Sequence, residues 1–201
     1  MSYSDIDAAI WAQTLIQSRR TTLPKRLVGP GPTEAQKISI LEAASAAPDH
    51  DQILPWRFVE IPANARPALG DAFASALIER DPYAGAHACT QAKEKALRAP
   101  WLLLSIVRAD DHYTDIPVYE RILSVGAAIQ NMLLMATALG LGSSLTSGKA
   151  LQSCALRNIF MLDPAEMAVC FVNIGHIHEQ RTPRRRPTFS QYFSVLNQTQ
   201  L

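Results

Sequence analysis

Cysteine is scarce in this sequence: Cys89, Cys154 and Cys170 are the only three among 201 residues, and they lie far apart. An odd number without paired spacing suggests neither a disulfide framework nor a zinc site, so a reducing compartment is expected. Excess charge is lacking too. The 19 basic and 18 acidic side chains leave a formal charge of +1, which removes the broad positive field that non-specific nucleic-acid binding requires. The N-terminus carries Asp5 and Asp7 where a signal peptide needs basic residues, and no apolar run approaches a membrane span. A cytoplasmic chain with neither nucleic-acid nor membrane partners is expected.

Recognisable catalytic spacing is also missing. No Ser-His-Asp or Cys-His arrangement can be picked out, and no carboxylate pair stands out for acid–base work. The segment "GLGSSLTSG", 140–148, has neither the trailing Lys-Ser/Thr of a P-loop nor the GxGxxG dinucleotide fingerprint. "DHD" at 49–51 puts three ligand-type residues in a row, but consecutive side chains cannot converge on one ion without a strained turn, so no metal is assigned.

What is present is an ordinary globular composition, 48% hydrophobic and 18% charged, in a chain long enough to bury a sizeable core. One domain spanning 1–201 is expected. Ile6, Ala9, Ile10, Leu15 and Ile16 recur near helical spacing and predict a first helix ending close to Arg19 and Arg20. Thr33 with Gln36 predicts a capping box for a helix running to about Ala46, ended by Pro48. Trp56 to Ile61 reads as a strand, and 65–80 and 86–99 read as helices. "WLLLSIV", 101–107, is a continuous apolar run suited to a central strand covered on both faces. The longest helical pattern, 117–139, carries Val125, Gly126, Ala127 and Ala128, small enough for another helix to approach closely. A short strand within 140–148, a helix at about 151–160 and a buried strand from Met167 to Ile174 complete the pattern. The tail "HIHEQRTPRRRPTFSQYFSVL" then brings four arginines and the aromatic trio Phe189, Tyr192 and Phe193, which are expected to pack on something, such as a neighbouring subunit.

Three stretches carry candidate chemistry. Arg19-Arg20-Thr21-Thr22 offers guanidinium groups and hydroxyls to a small anion, although arginines at a helix C-terminus also simply offset the macrodipole. His50 sits between Asp49 and Asp51, where a histidine can meet a cofactor or, more often, a carboxylate. The small residues of "GLGSSLTSG" let a backbone approach a flat ring, or make only a turn. His176 and His178 stand two apart at a strand end and read more readily as solvent-facing than as ligands.

Taken in order, "SRRTT", "AASAAPDHDQILPWRFVEI", "ALGLGSSLTSG", "FVNIGHI" and the arginine-rich aromatic tail resemble the FMN-dependent nitroreductase family, and "APDH…PW" resembles its small Asp-His branch. The resemblance implies an α+β fold, a mixed central β-sheet flanked by helices, in an intertwined homodimer with FMN at the subunit interface. It implies that Arg19, Arg20 and Thr21 bind the flavin phosphate and ribityl chain, with one or more of Arg184, Arg185 and Arg186 completing the phosphate site. Asp49, His50, Gln52 and Leu54 would face the flavin from the partner, while Leu145, Thr146 and Ser147 would line the ring edge. The tail, from about 176 to 201, would pack on the partner.

The activity implied is NAD(P)H oxidation coupled to reduction of a small electron-poor acceptor, a nitroaromatic or quinone, by hydride transfer in turn through flavin N5. No catalytic side chain is assigned, because the cofactor carries the chemistry. The sequence departs from the family pattern at Ala46, Leu54, Leu145 and Thr146, where the branch typically has an arginine, a glutamine, a tryptophan and an arginine. These departures leave room for an alternative, a flavin-binding or flavin-sequestering protein with little turnover.

Overall fold

The computed structural model describes residues 5–110, 114–179, 182 and 185–196. Five strands form one sheet: β1 (Leu27–Val28), β2 (Trp56–Glu60), β3 (Trp101–Arg108), β4 (Gly142–Thr146) and β5 (Glu166–Ile177). β5 is the organising strand. It runs antiparallel to β3 from the Arg108↔Glu166 pair to the Trp101↔Ile174 pair, to β4 from Thr146↔Phe171 to Gly142↔Gly175, and to β1 at His176 and Ile177. β2 pairs antiparallel with β3 on the side away from β5. All four strand pairings are antiparallel, and the parallel contact among the described residues is an isolated bridge from Thr21, outside the strands, to Ser143.

From Trp101 to Val107 β3 is apolar except for Ser105, because both of its faces are covered. Trp101, Leu103 and Val107 enter a cluster with Ile40 and Ala44 of α2 (Glu34–Ser45) and with Val125, Ala128 and Met132 of α5 (Val118–Ala138). Leu102, Leu104 and Ile106 join Leu69 of α3 (Arg66–Arg80) and Leu156 of α6 (Cys154–Ile159) on the opposite face. Helices therefore flank the sheet on both sides, with α4 (Ala86–Glu94) packed along α3. α1 (Asp5–Ser18) lies against α5 with most of its surface exposed.

Local signals account for several boundaries. Thr33 Oγ1 accepts the Gln36 N–H at 3.3 Å while Gln36 Oε1 accepts the Thr33 N–H at 2.9 Å, the reciprocal capping box expected for α2. Such a cap contributes about 1 kcal/mol. α4 ends at Glu94, earlier than the pattern to 99 suggests, and continues only as a 3-10 turn at Lys95–Leu97. Pro100 disfavours a helical residue before it, and Ala99 sits at φ 63°. α6 begins at Cys154 because Ser153 caps it, its Oγ accepting the Leu156 N–H. β1 escaped the sequence reading because two residues make no alternation to recognise.

α5 corrects one expectation. An 18-residue window of its 21 residues reaches a mean hydropathy of 1.2, and the helix is long enough to cross a membrane. Val125, Ala128, Met132 and Ala136 are nevertheless fully buried, as in the core helix of a globular protein. Within the small-residue segment, Val125 and Ala128 meet the core, whereas Gly126 faces open space. Two buried arginines act as backbone staples. Arg121 donates to the carbonyls of Arg108 and Asp110, both at 2.8 Å. Arg66 donates to those of Ile61 and Ala96 at 2.8 Å and of Arg98 at 3.2 Å, fixing the α4–β3 junction.

Candidate functional site

The end of α1 gathers three guanidinium groups. Arg20 Nη1 donates to the Gln17 carbonyl and to that of Arg19 at 3.1 Å. Arg186, from the tail, donates through Nη2 to the same two carbonyls at 3.0 and 3.1 Å. Carbonyls at a helix C-terminus carry partial negative charge, so the capping reading accounts for part of this arrangement. It does not account for Arg19. Its guanidinium is held below its ordinary value, first by burial and then by the neighbouring charges of Arg186 and Arg20. Among the described residues, no carboxylate forms an ion pair with any of the three. Mutually repelling cations without an acidic partner suit a phosphate monoester, which would relieve the repulsion and accept paired donors.

The same helix end is tied to β4. Thr21 bridges Ser143, and the Thr22 N–H donates to the Ser143 carbonyl at 2.9 Å. Gly142 lets these segments close on β4, since a Cβ there would stand 3.1 Å from Thr22 Oγ1, 2.7 Å from Ile177 Cγ1 and 2.9 Å from Leu27 Cδ2. β4 then leads into Leu145, 44% exposed, half-buried Thr146 and exposed Ser147. Asn173 of β5 holds this strand end, its Nδ2 donating to Thr146 Oγ1 at 3.0 Å and to the Ser144 carbonyl at 3.2 Å. The structure thus brings Arg19, Arg20, Thr21 and Arg186 together and links them to the strand bearing Leu145–Ser147.

The turn at 49–54 lies elsewhere. Asp51, Gln52 and Leu54 have φ of 55°, 53° and 47°, a concentration of left-handed backbone of the kind found at functional sites. Asp49 stabilises it by accepting the Leu54 N–H on Oδ2 at 2.7 Å, and the Leu54 side chain points outward, 64% exposed. His50 Nδ1 lies 2.9 Å from Glu120 Oε2 at the start of α5, and Asp51 is 3.9 Å from its Nε2. That bond to Glu120 is the main reason the imidazole is held above its ordinary value. The turn leads into β2, so β3 and β5 stand between it and β4. Three strand spacings amount to about 14 Å. Within one chain the turn and the arginine cluster do not form a common site.

Of the remaining predicted residues, Arg185 is exposed and Arg184 lies outside the described residues. His176 Nδ1 lies 2.7 Å from the Pro30 carbonyl, to which it donates. Burial pushes the Cys170 thiol up to about 11, far from a reactive thiolate at neutral pH. Sequence reading missed Asn173, Glu120 and Gln17. Asn173 had a usable signal, a lone amide in the apolar run "CFVNIG"; Glu120 and Gln17 act through placement that no local pattern announces.

The nitroreductase family profile matches residues 16–176. The chain belongs to the nitroreductase family. A relative from Haemophilus influenzae named "Putative NAD(P)H nitroreductase" is 30% identical over 164 residues, 82% of this chain and 87% of the relative. Solved structures share the fold. A nitroreductase-like family protein from Bacillus cereus matches with a TM-score of 0.79 at 20% identity, covering 98% of both chains. A Bacteroides fragilis nitroreductase with bound FMN matches with a TM-score of 0.68 at 16% identity, over 92% of this chain and 98% of that one.

Proposed function

We propose that the chain is an FMN-dependent NAD(P)H oxidoreductase, working as a homodimer and reducing electron-poor acceptors of the nitroaromatic or quinone kind. The observation that carries this reading is the convergence of Arg19, Arg20 and Arg186 beside β4, a donor set suited to a phosphate next to a strand end able to border a flat ring. FMN, when bound, supplies the redox chemistry, accepting hydride from a nicotinamide and returning electrons to a second substrate.

The chain's own residues bind and orient. Arg19, Arg20 and Arg186 would hold the phosphate and Thr21 the ribityl chain, while Leu145, Thr146 and Ser147 would border the ring. Asp49, His50, Gln52 and Leu54 would reach the ring from the partner, which agrees with their separation from the arginines within one chain. Because the Leu54 N–H is committed to Asp49, that residue would cover the ring with apolar surface rather than donate to it. The whole chain, 1–201, is read as one domain whose tail, from about 176, crosses to the partner in a cytoplasmic dimer.

A second reading, a flavin-holding protein with little turnover, is favoured by the apolar side chains exposed at Leu54 and Leu145. The visible spectrum of the purified protein, after FMN loading and desalting, separates the two. Flavin bands that bleach with NADH or NADPH and return on adding a quinone are the expected result. Bands that neither nicotinamide bleaches would favour the second reading, and a colourless protein would contradict both.

A further inference from the structure

Glu120 has none of the cofactor-binding roles assigned above, yet it reaches from α5 to the turn at 49–54. It stands in the first turn of that helix, where a carboxylate complements the macrodipole. Its Oε2 lies 2.9 Å from His50 Nδ1. A carboxylate only accepts, so Nδ1 carries the proton of this bond, and Nε2 is the nitrogen left for another molecule. The imidazole is open to one, since the His50 side chain is 58% exposed. Because the two residues are 70 positions apart, the bond also ties the turn to the helix.

The other acidic neighbours of His50 do not compete for it. Asp49 Oδ2 accepts the Leu54 N–H at 2.7 Å, and Asp51 Oδ1 stands 3.9 Å from Nε2, beyond hydrogen-bond reach. Arg121, next to Glu120 in sequence, turns into the core to the carbonyls of Arg108 and Asp110 and leaves the carboxylate to His50. The charges acting on the imidazole are those of Glu120, Asp51 and Asp49, all negative, and the bond to Glu120 does most to raise its hold on a second proton. With Nδ1 committed, that second proton sits on Nε2. Its arrival turns Nε2 from an acceptor into a charged donor.

We propose that Glu120 is a positioning residue for the cofactor site of the partner chain, aiming His50 so that a positively charged Nε2–H is presented to an acceptor atom of the flavin ring. The role rests on the flavin reading above. Glu120 touches no cofactor itself and acts through the imidazole. The ring gains a charge-assisted bond only while Nε2 is protonated. FMN affinity therefore falls once pH rises past the point where His50 of the FMN-free protein titrates.

The test is fluorescence titration of the full-length protein with FMN at a series of pH values from about 5.5 to about 9, spanning the range in which a histidine changes charge. The His50 imidazole of the FMN-free protein is followed by NMR over the same range. Glu120→Gln keeps an oxygen for Nδ1 and removes the charge. His50→Gln removes the titrating group and reports any pH dependence that belongs to the FMN phosphate. Beyond that reference, wild-type affinity should fall about fivefold, the worth of an exposed charge-assisted contact, beginning at the NMR midpoint. In Glu120→Gln the midpoint and the onset of weakening should move together to lower pH. A wild-type profile parallel to that of His50→Gln would overturn the proposal. So would a midpoint that does not move in Glu120→Gln, or an onset that stays in place while the midpoint moves. These three results leave the flavin reading standing, whereas a wild type that takes up no FMN at any pH would refute both.

Discussion

Two tryptophans define the contrast between the halves of this molecule. Trp101 on β3 is 2% exposed, whereas Trp11 on α1 is 67% exposed. Around Trp101, every apolar residue of the strand has a helix above or below it, so the sheet and its flanking helices complete themselves within one chain. Around Trp11, Ile10 and Ile16 face outward, as do Phe189, Tyr192 and Phe193 of the tail. Large apolar side chains exposed on a surface are candidates for contact with another chain. The central sheet is therefore a scaffold, while α1 and the tail belong to a surface whose cover we assign to a second copy. The candidate site straddles that divide, with its arginines at the end of α1 and its turn across the sheet.

Leu104→Ala should have the largest effect. The side chain is fully buried on β3, and its loss is expected to cost about 2–5 kcal/mol in urea unfolding. If the scaffold is as self-contained as the burial indicates, this variant loses stability without changing the FMN affinity of the fraction that folds. Arg186→Ala is the converse. It should weaken FMN binding by roughly tenfold to a hundredfold, the worth of a hydrogen bond to a charged group, while shifting the unfolding midpoint little, because its guanidinium bonds are exposed.

A smaller change is expected from Arg57→Ala. Arg57 on β2 donates to both carboxylate oxygens of Glu166 on β5, at 2.6 and 2.8 Å, and Arg57 is 44% exposed. The pair is expected to contribute about 1 kcal/mol after solvent screening. Glu166 is held below its ordinary value chiefly by that bond. Its contribution is therefore present above about 4.5, the ordinary glutamate value, and fades as pH falls through the lower folded value. Arg57→Ala should flatten that acid limb of the stability profile.

His50 gives the smallest and most local effect. Its raised value means that the tether to Glu120 is fully formed below about 6.5 and is lost as pH rises through the higher folded value. Following the imidazole by NMR, Glu120→Gln should bring its titration back toward the ordinary range. An unchanged midpoint would detach the turn from α5.

Much of the scaffold was legible because its signals are local. "WLLLSIV" announces a strand buried on both faces, and Thr33 with Gln36 announces the start of α2. Family resemblance singled out the candidate segments, but not which of them the fold groups together. That Arg186 reaches the α1 carbonyls depends on how the tail returns across the molecule. The strained backbone at Asp51, Gln52 and Leu54 had no glycine to signal it.

The central claim is that each site takes its arginines from one chain and its turn from the other. Co-expression of two defective chains tests it most directly, one carrying Arg19→Ala with Arg20→Ala and the other carrying Asp49→Ala with Leu54→Asp, followed by isolation of the mixed dimer through different affinity tags. Each variant alone should lose FMN, and the mixed dimer should recover one FMN per dimer, because one of its two sites then receives both intact halves. A mixed dimer as colourless as its parents, with each variant folded and dimeric, would contradict the account.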